Sequence, residues 1–377
     1  MKIRASVLRE MGSPVAVEQL ELASPRDDEV LVRVAAAGVC HSDVHLADGH
    51  LGHDRQPIVL GHEGAGVVEA VGRSVTHVAP GDHVGFCFVP SCGRCAQCRG
   101  GHANLCEPAA EHNAAGVLGD GTSRLSFPDG SPVKHFLSVS CFAERCVVPA
   151  ACAIPLPAAL PLWQAALVGC SVVTGLGAVR NAARVQPGDS VAVIGCGGVG
   201  LQVVSGAVLA GAAAVIAIDR DPAKLQRARD RGATATLQGS ETGSAVVAQV
   251  REICNGGVDV AIEVVGRPET IRQAFELIRP GGTAVVVGIA PKGVDVSLPA
   301  LDFISDKTIR GSFYGSANPA AEMPELIQML MDGRLDVAGA VSEFTDLDGI
   351  EAAFERLRRG EGVRTVVVVD SESAGLD

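Results

Sequence analysis

Four cysteines in the stretch CGRCAQCRGGHANLC, Cys92, Cys95, Cys98 and Cys106, are separated by two, two and seven residues. Tetrahedral zinc needs four soft ligands about 2.3 Å from the metal, and a tight Cys-x-x-Cys-x-x-Cys turn with one return residue supplies them. Four thiolates leave no position for a substrate, so this cluster is expected to hold a loop while the chemistry lies elsewhere. The chain has 12 cysteines, and no secretory signal is expected at its start. In that setting, short regular spacings favour thiolate ligation of metal over disulfides.

Three other segments converge on a second set. GVCHSDVH places Cys40 at the end of the apolar strand EVLVRVAAAG; GHEGAGVVEAVGRSV sets His62 and Glu63 between glycines; VGCSVVTGLGA offers Cys170 beside a glycine and ahead of a predicted helix. A lone buried cysteine is usually core filler and a lone histidine usually hydrogen-bonded structure. Taken together, Cys40, His62 and Cys170 form a Cys2His set, the arrangement of a catalytic zinc that keeps its fourth position for water or substrate.

A third constellation reads as a dinucleotide site. VQPGDSVAVIGCGGVG runs from a Pro-Gly turn into a strand over Ser190 to Ile194, then into Gly195-x-Gly197-x-x-Gly200, a helix and the strand AAVIAID. The glycines permit a tight turn, close approach of pyrophosphate and close helix packing, and the helix N-terminus favours anionic phosphate. Asp219 ends the second strand 19 residues after Gly200, where a carboxylate accepts hydrogen bonds from adenosine ribose hydroxyls.

The elements that must position these groups can be read from the rest of the chain. Its 377 residues suffice for two domains, each with its own core, so a metal here serves a local purpose rather than making folding possible. Residues 1 to about 171 are rich in short β-branched runs with Gly and Pro turns. From 172 to 313, strands such as VDVAIEVVG and TAVVVGIA alternate with helical stretches such as PETIRQAFELIRPG, as in a doubly wound parallel sheet. The tail, 314–377, offers two amphipathic helices, MPELIQMLMDGRLD and GIEAAFERLRRG, and the strand RTVVVV.

The formal net charge of −12 argues against nucleic acid as a partner, because phosphate binding needs a basic face. In MKIRASVLREMGSPVAV charges interrupt every apolar run, so no signal peptide is expected and the protein is read as cytoplasmic. Residues 191–218 carry no charge and are long enough to cross a bilayer. Their six glycines divide them into strand, turn, helix and strand, so no membrane span is expected there.

Over nearly its whole length the chain resembles the zinc-dependent medium-chain alcohol dehydrogenases. GHEGAGVVEAVGRSV matches that family's zinc signature at every fixed position, and the cysteine lobe, VGCSVVTGLGA and GCGGVG follow in family order. The resemblance implies an α/β fold in two parts: a β-rich, GroES-like catalytic domain (1–171 and 314–377) and a Rossmann domain (172–313) binding NAD. It implies two zinc ions per chain, a catalytic one on Cys40, His62 and Cys170, with Glu63 close enough to exchange onto the metal, and a structural one on Cys92, Cys95, Cys98 and Cys106.

The same likeness implies that Ser42 bonds the substrate oxygen and that His45 continues a proton path to solvent. Thr174 and Val199 would flank the nicotinamide, Asp219 and Lys224 would hold the adenosine ribose, and Arg364 would reach the pyrophosphate. His41 stands where many relatives carry arginine, and a neutral imidazole holds phosphate less firmly. Phe88, Phe136, Leu137, Ile289 and Phe313 would wall an apolar pocket without a charged anchor. The implied activity is hydride transfer between an apolar primary alcohol or its aldehyde (aliphatic, benzylic or terpenoid) and NAD, in a homo-oligomer, dimer or tetramer.

Other readings share some of these motifs. A thiol-adduct formaldehyde dehydrogenase of the same family would have them all, but EPAAEHN after Cys106 lacks the basic residue expected to hold a thiol conjugate's carboxylate. A zinc-free enone reductase would lack Cys40, His62 and the lobe. A non-catalytic zinc protein would need neither relay nor fingerprint.

Overall fold

The β-branched, glycine-punctuated runs fold as strands in the computed structural model, which describes residues 1–51, 56–239 and 244–376. Two units emerge, Met1–Cys170 with Asn318–Asp377, and Ser171–Ala317. The divisions fall after residues 170 and 317, against the expected 171 and 313.

In the first unit, strands Lys2–Leu8, Ala16–Leu22, Leu125–Ser126, Pro132–His135 and Ile58–Val59 close into a barrel. Ile3, Val7, Leu20, Leu22, Val133 and Val147 fill it. A second sheet runs in the order Ala153–Pro155, His83–Phe86, Glu63–Val71, Glu29–Gly38, Arg364–Val368, Val341–Thr345, and Arg145–Pro149 also pairs with Glu29–Gly38.

Register in this sheet builds the chemistry. Gly38 lies opposite Glu63 on one side and opposite Val366 on the other, so the approaches to Cys40, His62 and Arg364 converge at one sheet end. Gly38 is required there: a Cβ on it would sit 2.4 Å from Glu63 Oε2 and 2.9 Å from Leu167 Cδ2. Gly169 serves likewise, since its Cβ would fall 1.9 Å from Phe86 O, and its absence lets the helical segment carrying Cys170 approach strand His83–Phe86.

That segment departs from expectation. Cys170 lies within helical structure rather than ahead of it, in a π-helical turn, Val168–Val172, between helices Leu162–Leu167 and Val173–Gly177. Such turns widen a helix by one residue and recur at functional sites. The stretch Leu162–Ala183 is apolar enough to cross a bilayer, but 89% of its 18-residue window is buried inside the protein.

The second unit is a six-stranded parallel sheet ordered Ala235–Gln238, Ala214–Asp219, Ser190–Ile194, Val258–Glu263, Ile278–Val286, Thr308–Gly311. In chain order that is 3-2-1-4-5-6, the doubly wound dinucleotide-binding topology. Residues 191–218 form strand, helix Gly198–Leu209 and strand, as their glycines require. Ile194, Ile216, Ile218, Val250, Val258 and Phe275 are buried together. Each such side chain contributes about 1.5–3 kcal/mol, so Ile216→Asp would break this layer.

In the tail, the first helix runs Pro319–Met331, beginning earlier than MPELIQMLMDGRLD suggests. Pro319 opens it at a position where a missing N–H costs nothing, and Pro324 is accommodated inside.

Candidate active site

Cys40 follows the end of strand Glu29–Gly38 by two residues and caps the helix His41–Ala47, whose Asp43 carboxylate folds back to accept the Cys40 N–H at 3.1 Å. His62 immediately precedes strand Glu63–Val71, and Cys170 comes from the π-helical turn. The ligand atoms of Cys40, His62, Glu63 and Cys170 all lie within 4.8 Å of one another, and all four residues are buried. His62 Nε2 is 3.4 Å from Cys170 Sγ. Ser42 Oγ lies 3.7 Å from Cys40 Sγ.

Asp43 orders this cluster and carries no role in the sequence reading. It is 0% exposed, accepts the Gly61 N–H at 2.9 Å and faces His62 Nδ1 at 3.4 Å. A carboxylate on Nδ1 fixes the imidazole tautomer that leaves Nε2 as the free donor, the usual outer partner of a metal-bound histidine. Its signal was an acid three residues beyond Cys40, visible only once the helix turn brings it back.

The protonation of these groups is strained apart. Contact with Cys170, and then His62, holds the Cys40 thiol well below its usual range, while the same contact and burial push Cys170 well above it. Burial opposes charge on His62, yet Asp43 and Cys40 raise it well above an ordinary imidazole. Buried sulfurs and nitrogen this close cannot all keep protons comfortably, and a divalent cation that replaces those protons suits the set. Glu63 adds an orphan: Oε2 is buried without a hydrogen-bond partner among the described residues. Burial raises this carboxyl to about 7 against the pull of Arg364.

Arg364, expected at a pyrophosphate, is only 5% exposed, and its Nη1 donates to Glu63 Oε1 and to Val39 O, each at 2.9 Å. The structure thus engages it with the cluster. His45 is half-buried on the His41–Ala47 helix with its Nδ1 3.1 Å from His50 Nδ1, whereas His41 is exposed.

Phe88 and Phe136 stand edge-on to His62, with ring centroids at 5.2 and 5.4 Å. Leu137, Ser138 and Ser140 have φ of 49°, 60° and 55°, a costly run for side-chain-bearing residues. Hydrogen bonds hold it: Phe136 N–H donates to Ser140 Oγ, Ser140 to Val59 O, and Ser138 to Asn113 Oδ1, at 2.7–2.8 Å. Asn113 Nδ2 in turn donates to Phe88 O at 3.1 Å, so one unanticipated side chain ties Phe88 to the strained segment. Ile289 and Phe313 belong to the second unit, 39% and 49% exposed.

In the cysteine lobe the four sulfurs of Cys92, Cys95, Cys98 and Cys106 also lie within 4.8 Å of one another. Backbone N–H groups of Cys92, Cys95 and Cys98 donate to the sulfurs of Cys106, Cys92 and Cys95 at 3.3–3.5 Å. The N–H groups of Arg94 and Cys95 bring the Cys92 thiol down to about 6, while burial beside Cys95 pushes Cys98 up to about 12. Two thiols held below their usual range and two above it, under N–H donors aimed at sulfur, fit a closed tetrahedral metal that replaces their protons.

In the second unit Gly195 turns out of strand Ser190–Ile194 with φ +94°. A Cβ on Gly200 would lie 1.8 Å from Gly195 O, whereas one on Gly197 would meet nothing within 4 Å. That open backbone is a cradle of the kind a pyrophosphate fills. Asp219 accepts the N–H of Cys196 at 2.7 Å and of Asp221 at 2.9 Å, which anchors its carboxylate beside the turn. Val199 lies in the following helix, Lys224 half-buried in helix Pro222–Asp230, and Thr174 buried in Val173–Gly177. Gly175 lets those helices touch, because its Cβ would fall 2.8 Å from Val199 O.

Two family models match the chain: an alcohol dehydrogenase GroES-like domain over residues 26–158 and a zinc-binding dehydrogenase over residues 198–332. An S-(hydroxymethyl)glutathione dehydrogenase of Synechocystis sp. is 37% identical over 97% of this chain and 100% of its own length. Among solved structures, an alcohol dehydrogenase zinc-binding domain protein from Burkholderia ambifaria matches at TM-score 0.92 and 36% identity, covering 98% of this chain and 99% of its own. Benzyl alcohol dehydrogenase from Acinetobacter calcoaceticus matches at 0.91 and 31% with the same coverage.

Proposed function

Since the chain belongs to the zinc-dependent medium-chain alcohol dehydrogenase family, we propose that this oxidoreductase interconverts apolar primary alcohols and their aldehydes with NAD. The observation that carries the reading is the buried Cys40, His62, Cys170 and Glu63 cluster, faced by the rings of Phe88 and Phe136. Zinc on Cys40, His62 and Cys170 would acidify an alcohol at its open position, and NAD would accept the hydride.

The chain's own residues supply the rest. Asp43 holds His62 in the ligating tautomer. Ser42 Oγ, beside Cys40, accepts the substrate's hydroxyl proton while passing its own toward His45. Phe88 and Phe136 exclude water and offer no partner for extra hydroxyls, so each hydroxyl of a polyol would be unpaired at about 1–3 kcal/mol. Arg364 balances the buried Glu63 carboxylate, which is available for exchange onto the metal.

The preference for NAD rests on Asp219, whose carboxylate would repel a ribose 2′-phosphate. Its anchoring by two backbone N–H groups keeps that charge in place. Cys92, Cys95, Cys98 and Cys106 would take a second, structural zinc. The sequence reading further places this protein in the cytoplasm as a dimer or tetramer.

A second reading is favoured by one finding: the curated relative at 37% identity is named for S-(hydroxymethyl)glutathione. Against it, the helix Glu107–Ala115, EPAAEHNAA, offers no Lys or Arg to a conjugate's carboxylates. Initial rates with benzyl alcohol, a medium-chain alkanol, sorbitol, and formaldehyde with and without glutathione separate the two. Best efficiency on benzyl alcohol or the alkanol is expected; strict thiol dependence would establish the second reading instead.

A further inference from the structure

We propose that His50 is the outer station of the proton path, exchanging with solvent the proton that His45 takes up. The inference rests on the reading of His45 given above.

Its basis is how helix His41–Ala47 ends. Gly49 sits at φ +76°, its N–H donates to Leu46 O at 3.1 Å, and the His50 N–H reaches back to His45 O at 2.9 Å. This is a Schellman turn, which fixes the residue after the left-handed glycine against the residue five positions earlier, a pair that is commonly apolar. Here both are histidine. Their Nδ1 atoms are 3.1 Å apart, with ring centroids 5.4 Å apart and planes tilted by 53°. At that separation one Nδ1 carries hydrogen and the other presents its lone pair.

The transfer balances without any other reactant. With hydrogen on His45 Nδ1, His45 Nε2 is the acceptor. A proton arriving at Nε2 releases the Nδ1 hydrogen to His50 Nδ1, and His50 then gives up its Nε2 hydrogen to water or buffer base. Within the pair only N–H bonds form and break, the external base gains the outgoing proton in a new bond, and exchange of ring protons with solvent restores the starting tautomers before the next turnover.

The surroundings give the step a direction. Burial, followed by the charges of His41 and His50, lowers the basicity of His45, with Cys40 and Asp48 acting weakly the other way. His50 is exposed. Asp48, the carboxylate that acts on His45, is engaged by Arg358 at 2.9 Å, and Arg358 also binds Glu351 at 2.9 Å. Burial therefore disfavours positive charge on the inner ring, His45, while the outer ring, His50, meets solvent.

The test uses His50→Gln, His45→Gln and the double variant of the zinc-loaded enzyme, with pre-steady-state alcohol oxidation followed from pH 6 to 9 in dilute and concentrated phosphate. Expected for His50→Gln is a loss of about fivefold at pH 6 in dilute buffer, vanishing at pH 9 or in concentrated buffer, with KM for NAD unchanged. In a serial path the double variant matches His45→Gln alone. A His50→Gln profile like that of wild type, a loss independent of pH and buffer, or additive losses would each overturn the role of His50. If His45→Gln itself leaves the profile intact, the reading of His45 fails first.

Discussion

The guanidinium of Arg364 lies 2.9 Å from the carboxylate of Glu63, and both side chains are buried. Removing one partner of such a pair strands the other charge at about 3–5 kcal/mol. Arg364→Met should therefore destabilise the protein by that amount in urea unfolding, and Glu63→Gln combined with Arg364→Met should recover part of it. Losses in the double variant that simply add those of the two single variants would show that the pair is not coupled.

Loss of the two metal sites should separate by phenotype. Cys98→Ala should drop the zinc content by one ion per chain and lower stability, because a closed thiolate site contributes directly to folding. Cys170→Ala should abolish turnover while leaving the circular dichroism spectrum and most of the stability in place. Elemental analysis with thermal unfolding distinguishes these outcomes from a shared structural role.

The fingerprint glycines predict opposite costs. Gly197→Ala places its methyl in open space, so stability should hold while KM for NAD rises at least tenfold. Gly200→Ala drives a methyl against Gly195 O, so the folded state should lose about 1–3 kcal/mol before any cofactor is added.

His135, next in sequence to Phe136, gives a pH signature in stability. Burial lowers it to about 3, and its Nε2 accepts the Arg124 N–H at 3.1 Å. With a folded value far below the ordinary 6.5, the unfolded chain binds the extra proton between those limits. Stability from this group is therefore complete above about pH 6.5 and falls with acid by up to about 1.4 kcal/mol per pH unit. His135→Gln, which keeps an acceptor, should flatten that part of the acid slope in unfolding measured from pH 6.5 to 4.

What was legible in the sequence followed local rules. Strand Glu29–Gly38 and strand Ser190–Ile194 have the bounds their apolar runs suggest, and the turn between Gly195 and Gly200 follows from backbone that only glycine tolerates. The π-helical turn at Cys170 was not legible, because one residue of widening leaves no periodic trace in a uniformly apolar helix. Asp43 and Asn113 were missed for another reason. Each acts through a partner distant in sequence, His62 for one, Phe88 and Ser138 for the other. For Arg364, nothing local announces that the sheet register turns it toward Glu63.

That register also has a consequence for biosynthesis. Glu63 and its counter-cation are 301 residues apart in the chain, and the strand bearing Arg364 is laid against Glu29–Gly38 only after the whole second unit has left the ribosome. The parallel sheet of Ser171–Ala317 is contiguous and can fold while translation continues, but the first unit must wait with an open sheet edge and an uncompensated acid. A nascent chain stalled before residue 364 should therefore carry a protease-sensitive first unit beside a protected second one.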